Sequence, residues 1–312
     1  MRDDLVDIRV RQLLRSPGGC ALLLKMAHAK MTPAEAVEPE TAIHLVSNAI
    51  RELSPWSATH DAMVKRLLQE GQRHQALAEM LVREPDIERW WAPLDREHQV
   101  WMQPSQDATF PLPETFRTPD SPPESWERYA QKPGERVSTS TRVREWTSQL
   151  ATCASGETDW YLDYPAERRL VRVAPGARVL EIVSAEDWHK MVVRHGVPSA
   201  LGSTFHPDTH GVPWGANDGF VPDWSSIARE WDGVHVTLWA FLTGTQVRIT
   251  SDVGWTEMRS CEGEETTWLR WAFDAIEEMP SVEPYPRGRD FRLPFSLPIS
   301  GPPGVRMRIV EP

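Results

Sequence analysis

"SCEGEETTWLRWAF", residues 260–273, sets an acidic turn directly before an apolar, aromatic segment. Two of its glutamates, Glu262 and Glu264, are two positions apart, and an extended chain points such side chains to one face. Two carboxylates on one face repel each other unless water or a cationic ligand surrounds them. The stretch is therefore either a solvated turn before a buried element or a place where carboxylates are held for chemistry.

The composition sets broad limits on the fold and on the partners. At roughly 150 residues per domain, the 312 residues suggest about two domains. A content of 40% hydrophobic and 25% charged residues is ordinary for a globular protein. The net charge of −11 makes a general nucleic-acid binder unlikely as a class, because such proteins normally carry a basic surface.

The cysteine spacing and the N-terminal sequence indicate the cellular compartment. Cys20, Cys153 and Cys261 are far apart and lack the CxxC spacing of a zinc site, so we expect reduced thiols. The opening residues, MRDDLVDIRVRQLL, are charged and lack the apolar run of a signal peptide. No apolar run is long enough to span a bilayer. We therefore expect a cytoplasmic protein without a membrane partner.

Residues 1–94 have the pattern of short helices. Val6, Val10 and Leu13 recur at helical spacing, and TPAEA at 32–36 offers a threonine N-cap with proline at the first helical position. Further amphipathic runs follow up to Pro85. We predict a domain of four or five short helices, enough for a small bundle.

Residues 95–136 form a predicted connecting segment. Its middle, PSQDATFPLPETFRTPDSPPESW (104–126), is dense in proline, which removes backbone donors and prevents a regular ladder. Before it, HQVWMQ (98–103) is a candidate strand.

Residues 137–312 have the sequence pattern of a domain with both strands and helices. Alternation in RLVRVA (169–174) and RVLEIV (178–183), with PGA between them, predicts a pair of strands joined by a turn. Ser184 is a predicted N-cap for the helix that follows, and GVHVTLWAFL (233–242) is a predicted strand. The predicted fold class is α+β: an N-terminal helical bundle followed by a mixed domain of two packed sheets with peripheral helices.

The run RVSTSTRVREW, residues 136–146, is a second candidate for chemistry. A strand that ends in Ser-Thr-Ser, followed by a turn and Trp146, places hydroxyls and a flat ring on one rim. Such hydroxyl runs are also typical of turns. Core filling is the ordinary role of any one of the 15 tryptophans, although some could line a pocket for a flat ring. Both interpretations stay open at this point.

Four stretches in order resemble ADP-ribosyltransferase-like domains of bacterial and phage proteins. They are, in chain order, KPGERVSTST (132–141), ARVLEIVSAEDW (177–188), EWDGVHVT (230–237) and CEGEETTW (261–268). The resemblance covers roughly residues 95–280 and leaves out the N-terminal helices. The layout of the whole chain is also similar to that of actinobacterial proteins, which implies no function.

The resemblance implies a fold of two packed sheets, NAD as a substrate, and roles for particular residues. Ser138, Thr139 and Ser140 would support the nicotinamide–ribose site. Glu264 would be the catalytic glutamate, and Glu262 would engage an arginine-like acceptor.

Three further residues follow from the resemblance. Trp146 would face the nicotinamide ring, which is flat and cationic and therefore binds an indole face by about 1 kcal/mol. Arg96 or His98, before the first strand, would hold the phosphates and ribose of NAD, because a diphosphate needs a fixed cation. No metal is implied. The acceptor stays open between a protein, a nucleic acid, a small molecule and water.

Other functions remain possible from the sequence. The tryptophan-rich strands suit a non-catalytic scaffold or partner-binding protein, and the same cleft suits a tailoring enzyme for small molecules. His189, His195, His206 and His210 are spaced too loosely for a typical metal site, and surface histidines are the ordinary explanation. The chain has none of the glycine-rich or nucleophile-elbow motifs of nucleotide-binding and hydrolase folds.

Overall fold

The computed structural model describes residues 2–51, 53, 60–104, 137–154, 166–198, 219–258, 261 and 263–282. In these ranges a helical N-terminal region leads into a region of mixed helix and sheet, which confirms the α+β expectation at that level.

Six α-helices lie in the described part of the N-terminal region: α1 (Arg2–Arg15), α2 (Pro17–Ala29), α3 (Pro33–Ala36), α4 (Pro39–Arg51), α5 (His60–Gly71) and α6 (Gln75–Arg83). Local caps explain where two of them begin. The Ser16 hydroxyl accepts a hydrogen bond from the Gly19 N–H at the start of α2. The Thr32 hydroxyl and the Glu35 carboxylate form a reciprocal capping box at α3.

Four more helices follow: α7 (Ser148–Ala154), α8 (Ala185–His195), α9 (Trp224–Ala228) and α10 (Leu238–Gly244). Side chains again set their starts. Ser184 caps α8 as predicted, and Asp223 and Thr237 cap α9 and α10 by accepting hydrogen bonds from the N–H three residues on.

The strands, in chain order, are β1 (Gln99–Pro104), β2 (Val137–Thr141), β3 (Ala166–Val173), β4 (Val179–Ile182), β5 (Gly196–Pro198), β6 (Phe220–Pro222), β7 (Gly233–Val236), β8 (Arg248–Ser251), β9 (Gly254–Glu257), β10 (Glu265–Trp268) and β11 (Phe273–Val282). Seven of them form one sheet in the order β11–β3–β1–β2–β10–β7–β4. Only β4 and β7 run parallel to each other in this sheet. β5 pairs with β6 and β8 with β9, so the described strands form one large sheet and two ribbons where two packed sheets were expected.

The predicted pairing of residues 169–174 with 178–183 is wrong. Both stretches contain strands, β3 and β4, but β3 pairs with β1 and β11 while β4 pairs with β7 at the opposite edge of the sheet. The turn between them therefore connects two strands that are not neighbours in the sheet, instead of closing a hairpin. The partners that determine the pairing are distant in sequence.

The predicted strand over 233–242 is also wrong in its second half. The strand β7 ends at Val236, Thr237 caps the next turn, and residues 238–244 form the buried helix α10. An apolar run that is buried on all sides has no period to separate strand from helix.

The predicted connecting segment, 95–136, contributes to the sheet. The strand predicted at 98–103 is confirmed, because β1 lies between β2 and β3. The proline-rich remainder, residues 105–136, lies outside the described residues.

One core joins the helices to the sheet. Trp239 of α10 is fully buried and its indole N–H donates to the Gln12 side chain of α1 over 2.8 Å. α10 also lies so close to α2 that a Cβ on Gly18 would come within 2.3 Å of the Leu242 carbonyl oxygen. Val236 of β7 packs into this same core. The N-terminal helices therefore do not form a core separate from that of the sheet.

A second, smaller apolar cluster lies on the other face of the sheet. Trp268 and Phe273 meet edge-to-face with ring centroids 5.0 Å apart, and Trp101 packs in the same cluster. These rings explain part of the high tryptophan content as core filling. None of the helices in the described ranges combines the length and apolarity needed to cross a membrane.

Candidate active site

The pairing of β2 with β10 brings the Ser-Thr-Ser run to the acidic turn. The register sets Thr139 opposite Thr266 and Ser138 opposite Thr267. Continuing this register by two residues brings Thr141 opposite Glu264, at the point where β10 begins. Two segments more than a hundred residues apart in sequence thus meet at one end of the sheet.

The Glu264 carboxylate is held by the end of β2. Its Oε2 accepts a hydrogen bond from the Thr141 N–H at 2.9 Å. The Ser140 hydroxyl, with a single hydrogen to donate, lies 2.6 Å from the Glu264 carbonyl oxygen and 2.9 Å from Oε2. Glu264 Oε1 accepts from the Thr141 hydroxyl at 2.8 Å. The residue is only 8% exposed, so Glu264 is not part of a solvated acidic turn.

The turn before β10 fixes the backbone of Glu264. The Glu264 N–H donates to the Ser148 hydroxyl, the first residue of α7, over 2.9 Å. Gly263 has a φ of 155°, which favours glycine, and a Cβ there would lie 2.5 Å from the Ser148 oxygen. Glycine at this position therefore permits the close approach of α7 that orients Glu264.

Burial raises the pKa of Glu264 from 4.5 to about 7. Removal of the carboxylate from water disfavours its charged form, and the hydrogen bonds from Thr141 and Ser140 offset only part of that cost. Near neutral pH the group is thus divided between acid and carboxylate. A buried acid with a pKa near neutrality can hold or release its proton at physiological pH.

The adjacent glutamate has a different environment. Glu265 is 1% exposed, and its Oε2 accepts hydrogen bonds from the Ser138 hydroxyl at 3.2 Å and the Gln149 side chain at 3.1 Å. The serines of the Ser-Thr-Ser run are therefore divided, since Ser138 binds Glu265 and Ser140 binds Glu264.

Thr139, the middle residue of the run, lies in a buried hydrogen-bond chain. Its hydroxyl donates to the Gln99 side chain over 2.7 Å and accepts from the Trp268 indole N–H over 2.9 Å. These partners tie together the central strands β1, β2 and β10.

A histidine lies beside Glu264. His235 is 2% exposed, and its Nδ1 lies 3.0 Å from the Thr266 hydroxyl and 3.8 Å from Glu264 Oε1. Its Nε2 lies 3.8 Å from Glu181 Oε2. Burial lowers the pKa of His235 to about 4, so the imidazole is neutral at physiological pH and forms no ion pair with either carboxylate.

The two candidates for a cationic NAD contact differ in their surroundings. The Arg96 guanidinium donates to the carbonyls of Ala174 and Ala177, at 3.1 and 2.9 Å, and so holds the turn after β3. The His98 side chain is 60% exposed and its Nδ1 lies 3.0 Å from Asp95.

Trp146 lies against the helical region. Its ring meets that of His44, in α4, edge-to-face with centroids 4.3 Å apart, and it is partly buried against the main core. Glu262 lies outside the described residues. The predicted roles of Trp146 and Glu262 remain predictions.

Several residues of the cluster escape sequence reasoning: Thr141, Ser148, Glu181, His235 and Thr266. A signal was present, because His235 lies between two valines in a four-residue strand whose residues are all buried. A titratable group at such a position needs a partner in the core. The sequence does not reveal which strand supplies it.

No group of His, Cys, Asp and Glu within the described ranges has an arrangement that suits a metal ion. His189 and His195 are hydrogen-bonded to Thr256 and Ser226 instead. His206 and His210 lie outside the described residues.

Comparisons with protein-family models, with curated proteins and with solved structures found no match to this chain.

Proposed function

We propose that this chain is an NAD-using enzyme of ADP-ribosyltransferase type in which Glu264 is the catalytic carboxylate. The observation that carries the proposal is the contact of the end of β2 with Glu264: Thr141 donates two hydrogen bonds to its carboxylate, and the Ser140 hydroxyl lies 2.6 Å from its carbonyl oxygen and 2.9 Å from its carboxylate. It joins the Ser-Thr-Ser strand to the late glutamate, the two elements that the resemblance assigns to one site. The ADP-ribosyltransferase fold is part of this proposal, with the described strands in one seven-stranded sheet and two ribbons.

The reaction breaks the bond between ribose C1′ and the nicotinamide nitrogen. The electron pair of this bond leaves with nicotinamide, which becomes neutral, and positive charge develops on the ribose. A carboxylate that accepts a hydrogen bond from the ribose 2′-hydroxyl stabilises this charge more in the transition state than in the ground state, as in glycoside hydrolysis. The acceptor then bonds to C1′ and loses a proton.

The contacts of Glu264 suit this role. Two hydrogen bonds from Thr141, with the Ser140 hydroxyl beside them, fix the position of the carboxylate before substrate arrives, which is the condition for electrostatic catalysis. The role requires the ionised form, and the pKa is about 7. We therefore expect nicotinamide release to increase with pH through about 7.

Of the two cationic candidates, His98 is the better one for a diphosphate. The guanidinium of Arg96 already donates to two carbonyls, whereas the His98 ring is largely exposed and only its Nδ1 contacts a carboxylate, that of Asp95. We expect His98→Ala to weaken NAD binding while leaving unfolding by urea unchanged.

The test is nicotinamide release from NAD together with NAD affinity by calorimetry. Glu264→Gln preserves size while removing the charge and replacing one acceptor oxygen with an NH2 donor, and we expect release to fall by at least about 100-fold, the scale of losing one transition-state contact. Glu277→Gln, at an exposed position on β11, is the matched control and should keep full activity. An inert wild-type chain that binds no NAD at millimolar concentration contradicts the proposal and favours a scaffold of the same fold.

The acceptor stays open in this proposal between a protein arginine, a nucleic acid, a small molecule and water. A cytoplasmic location is likewise part of the proposal. Product analysis separates water from the other acceptors, because hydrolysis alone yields free ADP-ribose.

A further inference from the structure

A two-residue turn follows β2, directly after the residues that hold Glu264. Val143 and Trp146 exchange backbone hydrogen bonds of 2.8 and 2.9 Å across it. Arg144 and Glu145 are its two central residues. The chain then enters α7, whose first residue accepts the Glu264 N–H. The turn therefore joins two segments that both contact Glu264: the end of β2, which binds its carboxylate, and α7, which binds its backbone.

The backbone of Arg144 is strained. Its φ is 56°, in the left-handed region that residues with a β-carbon seldom adopt. The first central residue of such a two-residue turn is usually glycine, asparagine or aspartate. An arginine is costly at this position, so its side chain is the feature that requires an explanation.

The Arg144 side chain connects the turn to the start of α4. Its Nη1 lies 3.2 Å from a carboxylate oxygen of Glu40, and its Nη2 lies 3.2 Å from one of Glu38. Glu38 is itself held in place, because its other oxygen accepts a hydrogen bond from the Thr41 N–H over 3.2 Å. The ring at the far end of the turn also packs on α4. Both sides of the turn are thus anchored on one helix.

Stability alone does not account for these ion pairs. The Arg144 side chain is 69% exposed, and exposed ion pairs contribute little to the free energy of unfolding. The turn also has bonds on its sheet side. Arg142 Nε donates to the Arg144 carbonyl oxygen over 2.7 Å, and Arg168 Nη1 donates to that of Glu145 over 3.0 Å. These bonds shape the turn, whereas the ion pairs determine where it lies relative to α4.

We propose that Arg144 is a positioning residue, whose ion pairs with α4 hold the turn where the end of β2 and the start of α7 bind Glu264 together. The inference rests on the proposed function in that Glu264 is taken as the catalytic carboxylate. The helical region thereby acts on the site through α4.

Arg144→Gly separates the backbone of this position from its side chain. Glycine accepts a positive φ, so the turn should persist and the midpoint of urea unfolding should stay close to that of the wild type. The Thr141 N–H, which donates to Glu264, should exchange with solvent about fivefold faster, because the turn that follows it is less well held. The Thr139 amide, in the middle of β2, should keep its rate. NMR of the full chain without NAD measures both rates, and an unchanged Thr141 rate overturns the inference.

Glu40→Gln tests the same contact from the helix, without a change in the turn. It removes one of the two ion pairs, so Thr141 exchange should become about twofold faster. Added to Arg144→Gly it should have no further effect, because its partner is already absent. Arg194→Gln breaks an equally exposed pair with Glu230 at the end of α8 and is the matched control, which should leave Thr141 exchange unchanged. An unchanged rate in Glu40→Gln, or additive effects in the double variant, overturns the inference even where Arg144→Gly does not fold.

Nicotinamide release provides a readout that separates this inference from the proposed function. In Arg144→Gly, kcat should fall by about fivefold with KM for NAD unchanged, since the orientation of the carboxylate acts in the transition state. An unchanged kcat in an active enzyme contradicts the positioning role. If the exchange rates change as expected and the wild type releases no nicotinamide, only the proposed function is refuted. If nicotinamide is released and Thr141 exchange is the same in all variants, only this inference is refuted.

Discussion

At the scale of residues, the buried pair Glu264 and His235 links folding to pH in opposite senses. The pKa of Glu264 is raised from 4.5 to about 7, so the folded chain holds this proton more tightly than the unfolded chain. The stability from this group is fully present below about pH 4.5 and is lost as pH rises through about 7. His235, with its pKa lowered from 6.5 to about 4, contributes stability above about pH 6.5 that is lost as pH falls through 4.

Glu264→Gln should expose the contribution of His235. In the wild type the two effects oppose each other between about pH 4.5 and 6.5, so the free energy of unfolding changes little there because of this pair. In the variant the free energy of unfolding should rise with pH across this window by up to roughly 3 kcal/mol, at 1.36 kcal/mol for each unit of pKa change.

Urea unfolding of both proteins at pH 4.5, 5.5 and 6.5 provides the measurement, with Glu277→Gln as the control. Other titrating groups are common to all the proteins and cancel in the difference. Parallel pH dependences for the wild type and Glu264→Gln contradict the assignment of these two pKa values.

At the scale of elements, the turn before β10 controls where Glu264 points. Gly263→Ala forces a Cβ against Ser148 at a φ that L residues rarely adopt. We expect a loss of about 1–3 kcal/mol in the free energy of unfolding. Nicotinamide release should fall as well, because the same turn orients the carboxylate.

Gly176→Ala is the matched control for this variant. No atom lies within 4 Å of a Cβ at Gly176, so its effect should stay within about 0.5 kcal/mol. Equal unfolding midpoints for the two variants contradict the role given to the turn.

Local features of the sequence predict the elements well. Thr32, Ser184 and Asp223 each place a hydroxyl or carboxylate three residues before an N–H that they cap, and the three helix starts follow from that chemistry alone. Such contacts lie within one turn of chain. Sequence spacing is therefore sufficient to find them.

Long-range pairing is where sequence reasoning fails. The alternation in β3 and β4 predicts two strands correctly, but each pairs with strands that are distant in sequence. The residues between Val173 and Val179 do not indicate these partners. The buried run after β7 similarly hides helix α10. In both cases the deciding contacts are tertiary.

The candidate site shows the same division. The contact of Ser140 with Glu264 joins two stretches that the sequence already singles out. The neighbours Thr141, His235 and Glu181 come from strand register, which a single sequence does not reveal.

At the scale of the whole molecule, the shared core predicts one unfolding unit. α2 packs against α4, α5 and α10, and the core that contains Trp239 continues into β7. We expect a single calorimetric transition instead of separate melting of the helical region and the sheet.

Cys20 reports on this cooperativity. Its thiol is fully buried in α2, and burial raises its pKa to about 12. Labelling of Cys20 by a thiol reagent, followed by mass spectrometry of the peptide that contains it, should proceed only at the rate of global unfolding. Labelling that is much faster than exchange of the buried amides of β10 contradicts a single unit.

The adjacency of β1 and β2 means that the segment between them can be shortened. These strands pair antiparallel, with Trp101 opposite Thr139, so the end of β1 and the start of β2 lie at neighbouring points of the sheet. Continuing this register sets Gln103 opposite Val137, so a two-residue Asn-Gly connection in place of residues 104–136 closes a hairpin at a lower entropic cost. A chain trimmed in this way should keep its sheet, and any activity lost with the excised segment belongs to that segment and not to the scaffold.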